Sequence, residues 1–191
     1  MRMPHLLSTL LLAGATLAAG AGSAHAADGS YTIAFRNLPS TGLQGDADNT
    51  TLAFHLPSLA YITGLTWTVD VQAFDPSWLQ ELTLSLTATS GEGVQFSPAP
   101  NAAAAGSFQG QGRVDLVNSG LAFRLAADGR LNLEVYDAVD DLPGLADGRW
   151  RSATLQLAYT AAVPEPASVA LLLAGIGVVG LRHRRERALP G

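Results

Sequence analysis

The sequence has 191 residues, of which 48% are hydrophobic and 14% are charged, and its formal net charge is −5. Cysteine is absent, which excludes a disulfide framework and leaves burial of apolar side chains as the source of stability. Of the four histidines, only His55 lies outside the terminal segments, so with no cysteine zinc sites lack ligands, and Ser–His or Cys–His nucleophile systems lack a base with its orienting partner.

The first 26 residues have the pattern of a secretory signal peptide. Arg2 and the amino group give a positive start, residues 6–19 are mainly apolar, and Ala24-His25-Ala26 is a small-residue cleavage sequence. We expect export through the Sec translocon and cleavage by signal peptidase after Ala26, with a retained N-terminal anchor as the alternative. Residues 27–162 then form one exported domain, long enough to bury a core.

Hydrophobic and polar residues alternate along the exported domain with a period of two. The clearest segments are residues 62–74, 81–89, 131–137 and 153–159, and weaker strand candidates are residues 31–38, 51–56, 94–97, 113–117 and 121–125. Turn sequences such as Asp128-Gly129 and Asp147-Gly148 separate them. The pattern predicts an all-β fold, an antiparallel β-sandwich of jelly-roll type, with about nine strands and no helix before Ala167. Residues 98–112, rich in Ala, Gly, Ser and Gln, are predicted to form a long mobile loop.

Part of this order resembles the P-domain jelly roll that is appended to kexin-like and subtilisin-like proteases. The resemblance covers residues 62–71, 79–89 and 128–159, and the residues that carry it are Asp137, Gly148, Trp150, Leu155 and Leu157. In that family a strand ends in Val-x-Asp, an acidic loop follows, and a last alternating strand closes the sandwich. The resemblance implies a β-sandwich accessory domain without the protease.

Carboxylates are the remaining candidates for chemistry. Four of them fall within eleven positions around a predicted turn: Asp137, Asp140, Asp141 and Asp147. Flexible, oxygen-rich loops of this kind suit calcium, although a solvated turn is the alternative reading. Asp46, Asp48 and Asn49 form a second, smaller group of oxygen ligands. A glycosidase-type carboxylate pair stays open, because the separation that it needs is spatial. We expect no other cofactor.

The position of a histidine or tryptophan in the strand alternation, or next to a turn, indicates whether its side chain is exposed. His55 lies between Phe54 and Leu56, so we expect it on the solvent face of a strand. Trp67 is in phase with core residues and is predicted to be buried. Trp78 and Trp150 lie near turns and are the better surface candidates for stacking on a glycan ring, although packing at the edge of the core is the favoured interpretation for both.

The C-terminal segment has three parts. Val163, Pro164, Glu165 and Pro166 form an extended step, since two prolines prevent a helix from starting before Pro166. Residues 167–181, which include Leu171, Leu172 and Leu173, carry no charge and predict a transmembrane helix of roughly 22 Å, short of the ~30 Å hydrocarbon core. The basic tail, residues 182–187, contains Arg182, Arg184 and Arg185, and positive charge of this kind stays on the cytoplasmic side.

This order resembles the PEP-CTERM sorting signal of Gram-negative bacteria. The residues that carry the resemblance are Pro-Glu-Pro, the short glycine-containing apolar segment and the arginine cluster. The resemblance implies recognition and cleavage by an exosortase, a membrane-embedded cysteine transpeptidase, followed by transport to the cell surface or the extracellular polysaccharide matrix. An ordinary single-pass anchor without processing is the alternative.

The exported domain is acidic, with fourteen Asp and Glu against six Arg, a net charge of about −8. This argues against nucleic acid and anionic membrane surfaces as partners and is compatible with neutral glycans. We therefore expect a non-enzymatic surface or matrix protein with a structural or adhesive module, for which an extracellular polysaccharide is a candidate partner. One alternative is a small extracellular carbohydrate-active hydrolase or a calcium-dependent lectin-like domain. The other is an unprocessed, membrane-tethered surface protein.

Overall fold

The alternating segments of the sequence pair into antiparallel sheets. The computed structural model describes residues 27–161, which belong to one compact unit and contain no helix. Its nine strands are β1 (Asp28–Ser40), β2 (Thr50–His55), β3 (Tyr61–Ala73), β4 (Leu82–Ala88), β5 (Gly93–Phe96), β6 (Gly106–Asp115), β7 (Phe123–Arg124), β8 (Arg130–Asp137) and β9 (Gly148–Thr160). The prediction of an all-β fold is confirmed for these residues.

The strands form two sheets. The larger sheet has the order β1-β9-β3-β6, with β7 also pairing β3, and the smaller sheet has the order β2-β8-β4-β5. Every strand pair is antiparallel. The pairs are nested along the chain, since β1 pairs β9, β2 pairs β8, β3 pairs β6 and β4 pairs β5. Winding one long hairpin into two sheets gives this order, which is that of a jelly roll.

The core lies between the two sheets and is made by the alternating apolar side chains. Its most completely buried members, each at most 1% exposed, include Ile33, Leu82, Leu84, Leu86, Leu131, Leu133, Val135, Leu155 and Leu157. Full burial of such a side chain stabilises the fold by roughly 1.5–3 kcal/mol. The alternation with a period of two therefore puts these apolar side chains in the core, where their burial stabilises a domain that has no disulfide.

One strand lies where a loop was predicted. β6 spans Gly106–Asp115, so the prediction of a loop over residues 98–112 is wrong for its second half, and the candidate at 113–117 is only the end of this strand. The glycines of β6 make room for aromatic rings: a Cβ at Gly112 would lie 2.5 Å from the Trp67 ring. Trp67 is half-buried at the core edge, where it stacks on Phe96 with ring centroids 5.8 Å apart.

Trp150 is fully buried, so its assignment as a glycan-stacking candidate is wrong and the favoured interpretation, packing in the core, applies. Along the pairing of β3 with β9, Asp70 is opposite Ser152 but Val71 is opposite Trp150, which leaves Arg151 as an extra residue. A β-bulge of this kind reverses the alternation of side chains, and Trp150 therefore faces the core. Two other rings pack on it, Phe35 and Phe96, with centroids 6.1 and 6.2 Å away.

Candidate functional site

Four connections meet at one end of the sandwich, which we call the loop end. They are residues 41–49, 74–81, 97–105 and 138–147, and each is longer than the connections at the opposite end. Backbone hydrogen bonds tie them to one another: the N–H groups of Asp137, Ala138 and Asp147 donate to the carbonyls of Gly42, Glu81 and Ser40. The chain leaves the sandwich at the other end, because β9 begins at the loop end and runs for 13 residues, roughly 40 Å.

Asp137 and Asp147 are fully buried at the loop end. In each carboxylate one oxygen has hydrogen-bond donors. Val139 N–H donates to Oδ1 of Asp137 at 3.2 Å, while Leu142 N–H and the Ser77 hydroxyl donate to Oδ1 of Asp147 at 3.0 and 2.7 Å. Within residues 27–161, Oδ2 of both carboxylates has no hydrogen-bond partner. The fold therefore brings two of the four predicted calcium ligands into one buried pair.

The environment of Asp137 favours its neutral form. Burial raises the pKa of this carboxyl to about 7, the Val139 N–H opposes the rise, and the negative charges of Asp147, Glu81 and Asp141 add to it. A buried carboxylate beside another needs a proton or a cation to balance its charge. This end of the sandwich is therefore a place where a positive charge is stabilised.

The other predicted calcium ligands do not join this pair in one cluster. Asp140 is exposed and lines a small pocket of about 220 Å³ together with Asp46 and Asp48, so the fold does bring the two acidic segments of the sequence together. Among residues 27–161, however, no group of three or more acidic or histidine side chains has the spacing to hold a metal ion. The prediction of one four-aspartate cluster at Asp137, Asp140, Asp141 and Asp147 is wrong in this respect.

Asn49, which the sequence grouped with Asp46 and Asp48 as a cation ligand, holds the 41–49 connection in place. Its Oδ1 accepts a hydrogen bond from Gly42 N–H at 3.1 Å. Its Nδ2 donates to Oε1 of Glu134 at 2.8 Å and to the Leu43 carbonyl at 2.6 Å. Both ends of the amide are thus used inside the protein, which leaves the role of this residue structural.

Exposed apolar side chains also lie on the connections of the loop end. Trp78, which follows Ser77 in the chain, is 43% exposed, and Leu145 is 65% exposed. Leu43 and Val139 are also exposed on the same connections. The surface position predicted for Trp78 agrees with its exposure, and its role in stacking on a glycan stays a prediction.

The outer face of the larger sheet is a second polar surface, and the sequence analysis did not single it out. In the register of β3, Thr68 is opposite Gln111 on one side and Thr154 on the other. The next row contains Asp70, Gln109 and Ser152, and the two rows border a shallow cleft of about 450 Å³. The alternating Thr and Gln residues could have indicated this polar surface from the sequence. The prediction of a loop in place of β6 left the pairing of the two rows unrecognised.

Asp70 is fixed at the centre of that face by two polar partners. Arg151 Nε donates to Oδ1 of Asp70 at 2.7 Å, and Nη2 of the same guanidinium completes an ion pair. Gln109 Nε2 donates to Oδ2 at 3.0 Å. The extra residue of the β9 bulge thus supplies the cation that neutralises the acidic group of the cleft.

His55 is exposed at the end of β2, in agreement with the alternation of the sequence. Its register partner on β8 is Arg130, another exposed residue. An exposed histidine opposite an arginine has the surroundings of a solvated surface residue.

Several predicted features lie outside the described residues. They are the signal peptide of residues 1–26, the sorting residues 163–166, the apolar segment 167–181 and the basic tail 182–187. Within residues 27–161, no helix has the length and apolar character needed to cross a membrane.

The strands define the exported domain as an antiparallel β-sandwich. A comparison of sequences identifies the type of segment that follows it. Residues 162–185 match the PEP-CTERM protein-sorting motif, which confirms the resemblance read from Pro-Glu-Pro, the apolar segment and the arginines. The motif marks an exported protein that is sorted by an exosortase to the cell surface. No curated protein matches the chain.

Solved structures with a similar arrangement of strands come from a protease and from viral capsids. A serine protease of Aeromonas sobria in complex with its ORF2 chaperone has 12% identity and a TM-score of 0.42, over 72% of this chain and 28% of that chain. The capsid of cyanophage Pam1 has 17% identity and a TM-score of 0.40, over 84% of this chain and 100% of that chain. The capsid of Ralstonia phage GP4 has 18% identity and a TM-score of 0.38, over 73% and 86%.

This chain therefore spans less than a third of the protease chain. TM-scores this low do not establish a shared function, and the fold assignment rests on the strand pairing itself.

Proposed function

We propose that this protein is an exosortase-processed protein of the cell surface or extracellular matrix, and that its β-sandwich is a non-catalytic structural or adhesive module. The observation that carries the proposal is the PEP-CTERM motif at residues 162–185, directly after the last strand. Sec translocon and signal peptidase act first, the apolar segment then holds the chain at the inner membrane, and the exosortase acts last.

The physical properties of the segment support a temporary anchor. From the sequence we expect that fifteen uncharged residues would form a helix of roughly 22 Å, which is shorter than the ~30 Å hydrocarbon core and would hold a membrane weakly. The arginines behind it fix the orientation. Glu165 lies between two prolines in the sequence, which favour an extended backbone before the apolar segment, and we expect this position to be accessible to the enzyme.

The sorting proposal is tested by Glu165→Ala, with Glu186→Ala in the basic tail as the matched control. In cells that contain an exosortase, the wild type and Glu186→Ala should show the same shortened mature mass. Glu165→Ala should accumulate in the inner membrane at its unprocessed mass. Equal mature mass and location for Glu165→Ala and the wild type would remove the basis of the proposal and favour a plain membrane-tethered protein.

Two surfaces support glycan binding as the adhesive role. The loop end presents Trp78, whose ring face can stack on a sugar, at the opposite end of β9 from the chain exit. The outer face of the larger sheet supplies hydroxyl and amide groups, from Thr68, Gln109, Gln111 and Ser152, that match the hydrogen-bonding groups of a sugar. The acidic charge of the domain favours a neutral polysaccharide over an anionic one.

Binding to a panel of insoluble polysaccharides tests this role. The exported wild-type protein should be retained by a neutral polysaccharide without releasing sugar. Trp78→Ala should weaken retention, while Leu121→Ala, an exposed apolar residue on the connection after β6 at the opposite end, should not.

Turnover of a polysaccharide would instead favour the hydrolase alternative. Loss of that turnover in Asp140→Asn would place the activity in the acidic pocket formed with Asp46 and Asp48.

A further inference from the structure

The carboxylate pair at the loop end has a feature that a purely structural role leaves unexplained. Asp137 and Asp147 are both 0% exposed, and each keeps one oxygen, Oδ2, without a hydrogen-bond partner within residues 27–161. More than nine-tenths of buried polar groups in folded proteins are satisfied, and a buried carboxylate oxygen left alone is costly. Two such oxygens in neighbouring acidic side chains point to a positively charged partner.

The other oxygen of each carboxylate is fixed by the protein. Val139 N–H holds Oδ1 of Asp137, while Leu142 N–H and the Ser77 hydroxyl hold Oδ1 of Asp147. Metal-ligating carboxylates are oriented in this way, with one oxygen hydrogen-bonded and the other left for the ion. A third buried oxygen without a partner within the described residues, Oγ of Ser40, belongs to the residue whose carbonyl accepts the Asp147 N–H.

Additional negative charge acts on the pair, although within residues 27–161 no third acidic side chain is placed to share a metal ion with it. Glu81 and Asp141 both act on the Asp137 carboxyl, and the Glu81 carbonyl accepts the N–H of Ala138, the residue after Asp137. Asp137 is the last residue of β8 and Asp147 is the last residue of the connection before β9, so the two carboxylates do not come from one rigid element. Oxygen ligands placed in this way suit the variable coordination of Ca²⁺ better than the strict octahedron of Mg²⁺.

We propose that Asp137 and Asp147 bind one calcium ion, which holds together the two ends of the 138–147 connection at the loop end. The remaining coordination positions are filled by backbone carbonyls and water. In this arrangement Ser77 is a positioning residue, because its hydroxyl orients Asp147 and does not contact the ion. The site is independent of the sorting motif and of glycan binding, so its failure would leave the proposed function untouched.

Equilibrium dialysis with CaCl₂ tests the proposal on the full-length chain, purified in a mild detergent and stripped of metal with EDTA. The wild type should bind one Ca²⁺ per chain with a Kd of about 10⁻⁴–10⁻³ M, the range of extracellular calcium modules. Asp137→Asn and Asp147→Asn should each weaken binding by at least about tenfold. Asp140→Asn, the same change in the same connection, should bind like the wild type.

Thermal unfolding gives a second readout that does not depend on the stoichiometry. About 5 mM CaCl₂ should raise the Tm of the wild type and of Asp140→Asn by roughly 3 °C or more, and should leave Asp137→Asn unchanged. MgCl₂ at the same concentration should raise it less. Asparagine has the shape of aspartate and removes repulsion, so the variants should fold, and a native circular dichroism spectrum checks this.

Three results would overturn the proposal. The first is the absence of bound calcium at about 5 mM CaCl₂. The second is calcium binding that survives in Asp137→Asn and Asp147→Asn or is lost in Asp140→Asn, which would place the ion in the pocket with Asp46 and Asp48. The third is wild-type stability that changes with pH but not with calcium, which would show that the pair is balanced by a proton alone.

Discussion

The hydroxyl of Ser77 donates a 2.7 Å hydrogen bond to Oδ1 of Asp147, and both side chains are fully buried. The two residues are 70 positions apart in the chain, so this bond joins the connection after β3 to the connection before β9. A hydrogen bond to a buried charged group contributes more than one at the surface, because the carboxylate has no water to replace the lost donor.

Ser77→Ala should therefore lower the free energy of unfolding by roughly 1–3 kcal/mol. Ser58→Ala is the matched control, since its hydroxyl donates to the Ala127 carbonyl at an exposed position. That variant should change the free energy by less than about 1 kcal/mol. Urea unfolding of both variants measures the difference. If both lose the same free energy of unfolding, the Ser77 hydrogen bond contributes no more than the exposed one at Ser58.

Asp137 should make the stability of the metal-free protein depend on pH. Its pKa is about 7 in the folded protein and near the ordinary 3.8 when unfolded, so only the unfolded chain releases this proton as the pH rises from 4 to 7. The contribution of this residue to stability should be largest below pH 4, fall by up to roughly 4 kcal/mol as the pH rises to 7, and become level above that.

The comparison with Asp137→Asn isolates this contribution from the other carboxylates. In EDTA, the wild type should lose stability relative to the variant between pH 4 and pH 7. Parallel pH profiles of the two proteins would contradict a raised pKa at this residue.

Trp150→Ala should be among the most destabilising single changes in the domain. The side chain is 0% exposed and packs against Phe35 and Phe96, so its loss leaves a large cavity and should cost roughly 3–5 kcal/mol. Trp78→Ala removes the same side chain at a position that is 43% exposed, and it should cost less than about 1 kcal/mol. Chemical denaturation separates the two, and similar losses would argue against the bulge at Arg151.

Gly93→Ala should be poorly tolerated for a steric reason. A Cβ at this position would lie 2.1 Å from the Leu86 carbonyl oxygen and 2.8 Å from the Thr87 Cα, and these are backbone atoms of the paired strand β4. Overpacking of this kind typically costs about 1–3 kcal/mol. At Gly64 the nearest atoms are 3.5 and 3.6 Å away, so Gly64→Ala should be nearly neutral by the same denaturation measurement.

The sequence predicts the sandwich well because its strands obey the simplest rule, one dry face and one wet face. The sequences of β3, β4, β8 and β9 alternate along most of their length, although both faces of β4 are buried in the structure. β6 alternates in exposure as well, but its sequence does not show this, because Gly110 and Gly112 stand where apolar side chains would, lower its strand propensity and make room for the rings of Phe108 and Trp67. The fit between these glycines and the two rings can be recognised only in the folded sheet.

The buried carboxylate pair shows the same limit for the candidate site. Asp137 and Asp147 stand out in the sequence as part of an acidic run, but nothing in that run distinguishes them from the exposed Asp140. The distinction comes from the ends of β8 and the start of β9, which carry the two residues into the sandwich. Trp150 shows a related limit, since one extra residue, Arg151, reverses the alternation of side chains and cannot be recognised from composition.

Mass spectrometry of the native C-terminus is the most direct test of sorting through the PEP-CTERM motif. Protein recovered from the surface or matrix of the native host should begin at Ala27 and should have lost the arginine-rich end, residues 182–191, through cleavage near residues 163–166. Mature protein that still carries those arginines would contradict processing and make the segment a permanent membrane anchor.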